Sequence, residues 1–447
     1  MSGVRRLFGR ALAILAISNV TPYLAVAGPP YLGPGPAAST GIAGELRVDS
    51  WNIAAVGLKA LLPEFSATYP NIHATIHMSG AQLQARFMLS LAAGVGAPDV
   101  TQLQFPEVAR YAATGRLTDL TEVAQRYWKD FPEHVWKDCM HEGRIYAIPW
   151  DIGPCGVFYK RDIFERYGID PGKIETWEDY LAAGQRLLQA SGGKTRMFIH
   201  PTGFQDVMFE MLLRQRGGQI FDEAGRIAVN SSESLEVLQL LKRFVEAGTT
   251  ANIQFWSQPF FGSFSTDTVA TYPMAAWFGG FLQDYAPGTS GNWGVFPLPA
   301  FSPGGVRTSS YGGSAVVIPD QCVLKDAAWS FLEFMICRPA SQLAHYQNFN
   351  LFPAMTTVYG DSFFDEPLVF YGGQAVRRFF TQNVERIPVM HHTQDWLETR
   401  LYVRQSLGKW AGRGMGDGAG FLADLEARLA RRLDREIAPG SLSQAAP

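Results

Sequence analysis

The chain has 447 residues, 47% of them hydrophobic and 18% charged, which suffices for two or three core-forming units and excludes a lone small module. Thirty-eight Lys plus Arg face 41 Asp plus Glu, a formal charge of −3, so no global positive excess is available to hold a polyanion and no nucleic-acid partner is expected. The four cysteines, Cys139, Cys155, Cys322 and Cys337, are too few for a disulfide scaffold and contain no C-x-x-C pair, which removes a zinc ribbon or a thioredoxin-type site.

Arg5, Arg6 and Arg10 precede the apolar run Ala11-Leu-Ala-Ile-Leu-Ala-Ile17, and Ala25-Val-Ala27 has the small-x-small form of a signal-peptidase site. The run is well short of the roughly twenty residues that span a bilayer. Residues 1–27 therefore read as an export signal cleaved near Ala27, which places the mature chain in a periplasm; Arg5-Arg6 also fits a twin-arginine signal. Gly28-Pro-Pro-Tyr-Leu-Gly-Pro-Gly-Pro36 interrupts helix and strand alike, so residues 28–44 are expected to form a loose tether, with the folded body beginning near Glu45.

Leu46-Arg-Val-Asp-Ser50 is a short strand, and residues 54–69 carry Val56, Leu58, Leu61, Leu62, Phe65 and Tyr69 at helical spacing. Residues 72–78 alternate as a strand, 83–93 return to helix, and 99–103 form a third strand with a helix beyond it. This alternation is the pattern of a parallel sheet covered by helices. Glu142-Gly-Arg-Ile-Tyr-Ala-Ile-Pro149 and Gly156-Val-Phe-Tyr159 read as two strands around a turn. Thr176 with Asp179 has capping-box spacing and starts a helix. Helices are expected near 207–216 and over 234–247, strands near 293–297 and 313–318, and helices over 327–336, 396–407 and 421–437. The last has Phe421, Leu422, Leu425, Leu429, Leu433 and Ile437 on one side.

Gly94-Val-Gly-Ala-Pro-Asp-Val100 and Gly115-Arg-Leu-Thr-Asp-Leu120 are followed by Gly143-Arg-Ile-Tyr-Ala-Ile-Pro149, Val157-Phe-Tyr-Lys-Arg-Asp162 and Thr176-Trp-Glu-Asp179. Gly217-Gly218, the span from Ala270 to Trp277, Gly294-Val-Phe-Pro-Leu-Pro299, Gly312-Gly313 and Ala327-Ala-Trp-Ser-Phe-Leu332 continue the series. Together these segments resemble bacterial extracellular solute-binding proteins of family 1, the maltose-type periplasmic sugar-binding components of ABC importers, across about residues 45–433. The resemblance implies an α/β fold of type II, two-lobed, with a hinge and the ligand between the lobes. Residues 45–152 and 293–338 would form lobe 1 and residues 153–292 and 339–447 lobe 2, with crossings near 149–159, 293 and 336–341. The implied function is capture of a sugar or related polyhydroxylated solute, delivered by a monomer to the permease subunits of an inner-membrane ABC transporter.

Sugar hydroxyls both donate and accept, and sugar rings present C–H patches, so amides, carboxylates and aromatic faces are the matching groups. Trp51 and Asn52 follow the first strand, Gln104 ends the third, Trp150 and Asp151 sit at the crossing, and Trp277 closes the Ala270 element. On the resemblance, Gln205 stands where maltose-type members place a polar ligand contact. Tyr311, Gly313 and Gln394 likewise fall where relatives put ring-stacking or polar groups. Gly153 stands where such relatives often carry an acid. The absence of clustered Arg or Lys favours a neutral saccharide or polyol over a phosphate or sulfonate ester. No metal, cofactor or catalytic group is called for.

Other chemistry is weaker. Ser406-Leu-Gly-Lys409 matches S-x-x-K without its companion motifs. Gly414-Met-Gly-Asp-Gly-Ala419 follows a helix rather than a strand and reads as a helix–helix turn. His391-His392 has no third ligand at helical spacing and reads as a polar loop. A secreted carbohydrate-active hydrolase is the alternative function, and it needs two acids facing one cleft, for which Asp151 is the nominee in the central crossing and Asp395 an open second candidate. A Cys139–Cys155 disulfide is compatible with the expected hairpin, whereas Cys322 and Cys337 bracket a helix that holds them too far apart.

Overall fold

The computed structural model describes residues 31–33, 41–80, 82–202 and 205–444; the expected export signal and most of the tether lie outside them. Within the tether, Tyr31 is not loose. Its N–H donates to the Asp119 carbonyl (2.8 Å), its hydroxyl to Asp326 (2.7 Å), and its ring leans on Trp329. A tyrosine can bury its ring while its hydroxyl stays paired, which Pro and Gly cannot do.

Strands β1 (Gly44–Ser50), β2 (Ile72–Met78) and β3 (Val100–Gln104) run parallel, with β1 in the middle. Each is followed by helical structure: Asn52–Thr68, Leu83–Ala93, and the turn Phe105–Glu107 leading to Val108–Ala112. Leu46 and Val48 on β1, and Ile72 and Ile76 on β2, point into the core, as period-two spacing requires. A small hairpin, β4 (Met140–His141) with β5 (Arg144–Ile145), then leads into β6 (Ala147–Lys160).

The expected turn near 150–155 is absent: β6 is one strand of 14 residues. Pro149 and Pro154 survive inside it because each lies beside a shift in register with its neighbour, where a missing N–H leaves no gap in a regular ladder. Beyond it come the separate parallel pair β7 (Phe198–Thr202) and β8 (Thr250–Gln254), then β9 (Thr271–Ala275), β10 (Trp293–Pro297) and β11 (Ser310–Val317). The sheet order is β10-β6-β11-β3-β1-β2, with β9 also on β6. Residues 147–154 of β6 pair antiparallel with β11, and residues 155–160 pair with β9 and β10. One strand thus serves both halves of the molecule.

Two apolar cores follow. The first gathers Leu46, Phe65, Leu103, Trp136, Ile148 and Trp329, and continues through Phe352, Tyr371 and Phe380 to Phe158, Phe278 and Trp293. The second gathers Val157, Phe164, Trp177, Phe198, Leu213, Leu241, Trp396, Leu422 and Leu429. Residues 346–387 therefore pack with the first core and residues 390–429 with the second.

The expected helices are present as Trp177–Ala190, Gln205–Arg216, Ser232–Glu246, Lys325–Ile336, Trp396–Gly412 and Gly418–Leu433. The Thr176–Asp179 capping box forms with both reciprocal hydrogen bonds. The final helix ends at Leu433, four residues before Ile437, because Asp434 turns left-handed (φ 50°); Ile437 instead bridges to Ile227 as extended chain. A helix at Pro339–Phe349 was not foreseen. All four cysteines are free and buried, so the conceivable Cys139–Cys155 bridge is not made. Among the described residues, no helix is long and apolar enough to cross a membrane.

Candidate functional site

Parallel strands bring their carboxyl ends to one edge, and β11 runs antiparallel, so its first residues meet that edge too. There a chain of polar side chains crosses four strands. The Ser50 hydroxyl donates to Gln102 Oε1 (2.6 Å), Gln102 Nε2 donates to Ser314 Oγ (2.8 Å), and the Ser314 hydroxyl donates to Asp151 Oδ1. Gln102 Oε1 also accepts the Trp51 backbone N–H at 3.3 Å. Ser50, Gln102 and Ser314 are buried, so each hydrogen bond satisfies groups that water cannot reach. Burial pushes the Asp151 carboxyl up to about 6, against the hydrogen bonds from Ser314.

Beside this chain β11 changes register, and Gly313 there adopts φ 102°; a Cβ on it would lie 2.8 Å from the Asp151 carbonyl and 2.6 Å from the Phe105 ring. The Tyr311 carbonyl accepts the Trp277 indole N–H at 2.9 Å. Both side chains are partly buried, and both pack against the two cores at once, which puts the pair on the seam between them. Gly153 faces the same carbonyl: a Cβ there would stand 2.1 Å from Tyr311 O. The acid expected at this position from the maltose-type resemblance would have no room here.

A charged layer continues along the seam. Arg400, on the helix Trp396–Gly412, donates to the Tyr311 hydroxyl and to Asp206 (3.1 Å) and lies 3.2 Å from Glu210; Arg404 pairs with Asp206 at 2.8 Å. Burial raises Glu210 to about 7 although Arg400 opposes it, and raises Glu107 to about 7 against Arg110 and Arg400. Burial works against the Arg400 charge, but Glu210, Tyr311 and Asp206 together hold its pKa above the usual range. Farther along, Asp138 accepts from His392 (2.8 Å) and faces Arg214 at 3.6 Å. Burial opposes its charge, yet these partners keep its pKa below the usual carboxylate range.

Of the sequence-predicted residues, Asp151, Tyr311, Gly313 and Trp277 form one group, and Trp51 joins it through Gln102 and Ser314. Gln104 is exposed at the end of β3, opposite Ser314. Asn52 is exposed at the start of its helix with φ 46°. Trp150 lies inside the core, 1% exposed and edge-on to His345 at 5.1 Å. Alternation along β6 explains this: if Asp151 faces the edge group, Trp150 faces the opposite side. Gln394 lines a separate groove of about 480 Å³ with Arg110, Asp395, Leu401 and Arg432. Gln205 heads its helix, and its side chain lies outside the described residues.

His392 is not in an open polar loop; its ring is buried against Asp138 and Trp396. Nor are the arginines dispersed, since Arg400 and Arg404 sit together, both paired with Asp206 and Arg400 also with Glu210. Sequence reasoning missed these, along with Glu107, Gln102 and Ser314. Acids and arginines four residues apart on two helices, Asp206/Glu210 and Arg400/Arg404, are a readable signal of facing charged stripes. The hydroxyl and the amide inside strands carry no such signal. The site offers carboxylates, amides, hydroxyls and an indole face around a seam, a set that suits a neutral, hydroxyl-rich ligand.

Comparison with known proteins agrees with this geometry. The model of the bacterial extracellular solute-binding protein family matches residues 51–337. The arabinooligosaccharide-binding protein of Halalkalibacterium halodurans is 27% identical over 308 residues, 68% of this chain and 67% of that one. The lactose-binding protein of Rhizobium radiobacter is 22% identical over 369 residues, 78% and 84% of the two chains. Among solved structures, the sugar-binding protein MalE of Xanthomonas citri superimposes with a TM-score of 0.75 at 20% identity, covering 87% of this chain and 98% of its own. With more than half of its length matched by the family model and the two-lobed fold in place, the chain belongs to the bacterial extracellular solute-binding protein family.

Proposed function

We propose that the protein captures a neutral sugar or polyol at the seam marked by Trp277 and Tyr311 and hands it to the permease of an ABC importer. The observation that carries this reading is the Trp277–Tyr311 pair itself: an indole tied to a backbone carbonyl, packed on both cores, next to the Asp151–Ser314–Gln102 chain. An aromatic face takes the C–H patch of a sugar ring, and the acceptors beside it take hydroxyls. The arginines nearby are paired with Asp206, and Arg400 also lies against Glu210, so neither is offered bare to an anionic ester. Relatives that bear the names arabinooligosaccharide-binding and lactose-binding support a saccharide over other polar solutes.

In this reading residues 45–152 with 293–338 and residues 153–292 with 339–447 are two lobes that move about β6, and residues 346–387 are the part of the second that packs against the first core. The chain is exported with cleavage near Ala27, acts as a monomer in the periplasm, binds no nucleic acid and leaves its ligand chemically intact. A thermal-shift screen against a panel of mono- and oligosaccharides tests the reading, because a ligand that binds only the native state raises the melting temperature by mass action. A shift of several degrees with an unaltered sugar recovered afterwards is the expected result. No shift with any sugar, or release of reducing ends from a glycan, would overturn it, the latter in favour of a hydrolase.

A further inference from the structure

Asp138 ends the helix Glu133–Asp138, whose Val135 and Trp136 belong to the first core. The groups that meet its carboxyl come from the other side of the seam. His392 donates to it at 2.8 Å from the segment leading into the helix Trp396–Gly412, and Arg214 approaches to 3.6 Å from the helix Gln205–Arg216. Their neighbours Met390, Trp396 and Leu213 belong to the second core. The cluster therefore ties one core to the other, and it does so away from water, with all three side chains less than 10% exposed. One turn back on the Asp138 helix, His134 is buried too, and its Nε2 has no hydrogen-bond partner.

Charge counting sets the protonation of this cluster. A guanidinium keeps its proton at any accessible pH, so Arg214 already balances the Asp138 carboxylate. A proton on His392 or His134 would add a buried charge without a counter-ion. Burial and Arg214 accordingly hold the His134 imidazole down at about 4, and burial keeps His392 below its usual range although Asp138 opposes this. The surrounding charges leave the count unchanged. Lys137 faces Glu223 at 3.6 Å, a second pair across the same contact. His391 lies among Glu223, Lys137, Asp138 and Asp222, and burial holds it low as well. Burial pushes the Cys139 and Cys155 thiols up, so they stay neutral, and Glu210 on the Arg214 helix lies against Arg400.

We propose that Asp138, Arg214, His392 and His134 form an acid-sensitive latch between the lobes, which holds them together while both imidazoles are neutral and lets them part when either takes a proton. The inference rests on the two-lobe reading and not on the identity of the sugar. In parted lobes the imidazoles meet water and return toward their ordinary 6.5. The latched arrangement is thus fully favoured above about 6.5 and weakens as pH falls from there toward 4, by up to about tenfold per pH unit for each imidazole. Glu107 and Glu210, raised to about 7 by burial, take protons in the latched state and act in the opposite sense, so the latch is read against variants that lack an imidazole.

The test is hydrogen exchange of the full chain, read by mass spectrometry between pH 7.5 and 5 and corrected for the intrinsic exchange rate. It is run on the native protein, on His392→Asn, which keeps a donor toward Asp138, and on His134→Phe. Protection of residues 133–139 and 388–396 should fall together as the native protein is acidified, by about tenfold or more beyond the fall in either variant. Each variant removes one imidazole, so either one suffices if the other does not fold. An equal fall in native protein and variants, or loosening on one side of the contact alone, would overturn the latch and leave the two lobes in place. Exchange of both segments only through global unfolding at every pH would overturn the latch and the lobe motion together.

Discussion

Gly153→Ala tests whether the contact between β6 and β11 positions the site. A methyl built on Gly153 stands 2.1 Å from the Tyr311 carbonyl oxygen, 3.0 Å from its carbon and 3.2 Å from the Ala275 Cβ. The first distance is roughly 1 Å inside ordinary van der Waals contact. The obstacle is backbone, which cannot rotate aside, so β11 must retreat by about that amount. The same carbonyl holds the Trp277 indole at 2.9 Å, and a retreat of about 1 Å breaks a hydrogen bond of that length. Overpacking costs about 1–3 kcal/mol and the lost hydrogen bond about 1 kcal/mol more, giving a loss of roughly 2–4 kcal/mol. Urea unfolding followed by tryptophan fluorescence would read this as a lower midpoint at an unchanged slope. Sugar affinity should fall with it. Gly262→Ala is the control: it lies in a helix with nothing within 4 Å, and should gain about 0.5–1 kcal/mol. A Gly153→Ala protein within about 0.5 kcal/mol of the parent, with Gly262→Ala behaving as stated, would refute the argument.

Trp277→Ala should weaken sugar binding by about 2 kcal/mol or more, measured by calorimetry, as loss of a half-buried aromatic anchor does; unchanged affinity would remove it from the site. Asp138→Asn leaves Arg214 buried without its carboxylate and should cost about 3–5 kcal/mol in urea unfolding, where a loss below about 1 kcal/mol would show the pair to be dispensable. Glu107 is raised to about 7 in the folded protein from 4.5, so its ionisation opposes folding above that range, and stability from this group returns as pH falls from 7 to 4.5. Glu107→Gln should therefore be the more stable protein at pH 8, by on the order of 1–3 kcal/mol, with the advantage shrinking toward pH 4.5. An advantage independent of pH would show that burial does not shift this carboxyl.

Much of the architecture was legible because it rests on local periodicity. Leu46 and Val48 alternate on β1, the Thr176 capping box starts its helix, and the stripe Leu422, Leu425, Leu429 packs as spacing predicts. Misreadings occurred where a distant partner overrode local preference. Pro149 and Pro154 suggested a turn, but register shifts against β11 absorb them within one strand. Trp150 looked like a site aromatic by position, and its neighbour Asp151 took the outward face.

By itself the sequence determined the alternation of strands and helices, the family segments that mark a two-lobed binder, and the types of side chain offered to a ligand. These depend on neighbours within a few residues or on short ordered motifs. Only the tertiary structure decided that Ser50, Gln102, Ser314 and Asp151 form one hydrogen-bonded chain, and that Arg400 meets Asp206 and Tyr311. Those groups lie up to several hundred positions apart, and no local pattern encodes which strands become neighbours. Their meeting follows from β11 returning antiparallel between β3 and β6, a pairing fixed by burial of the whole sheet.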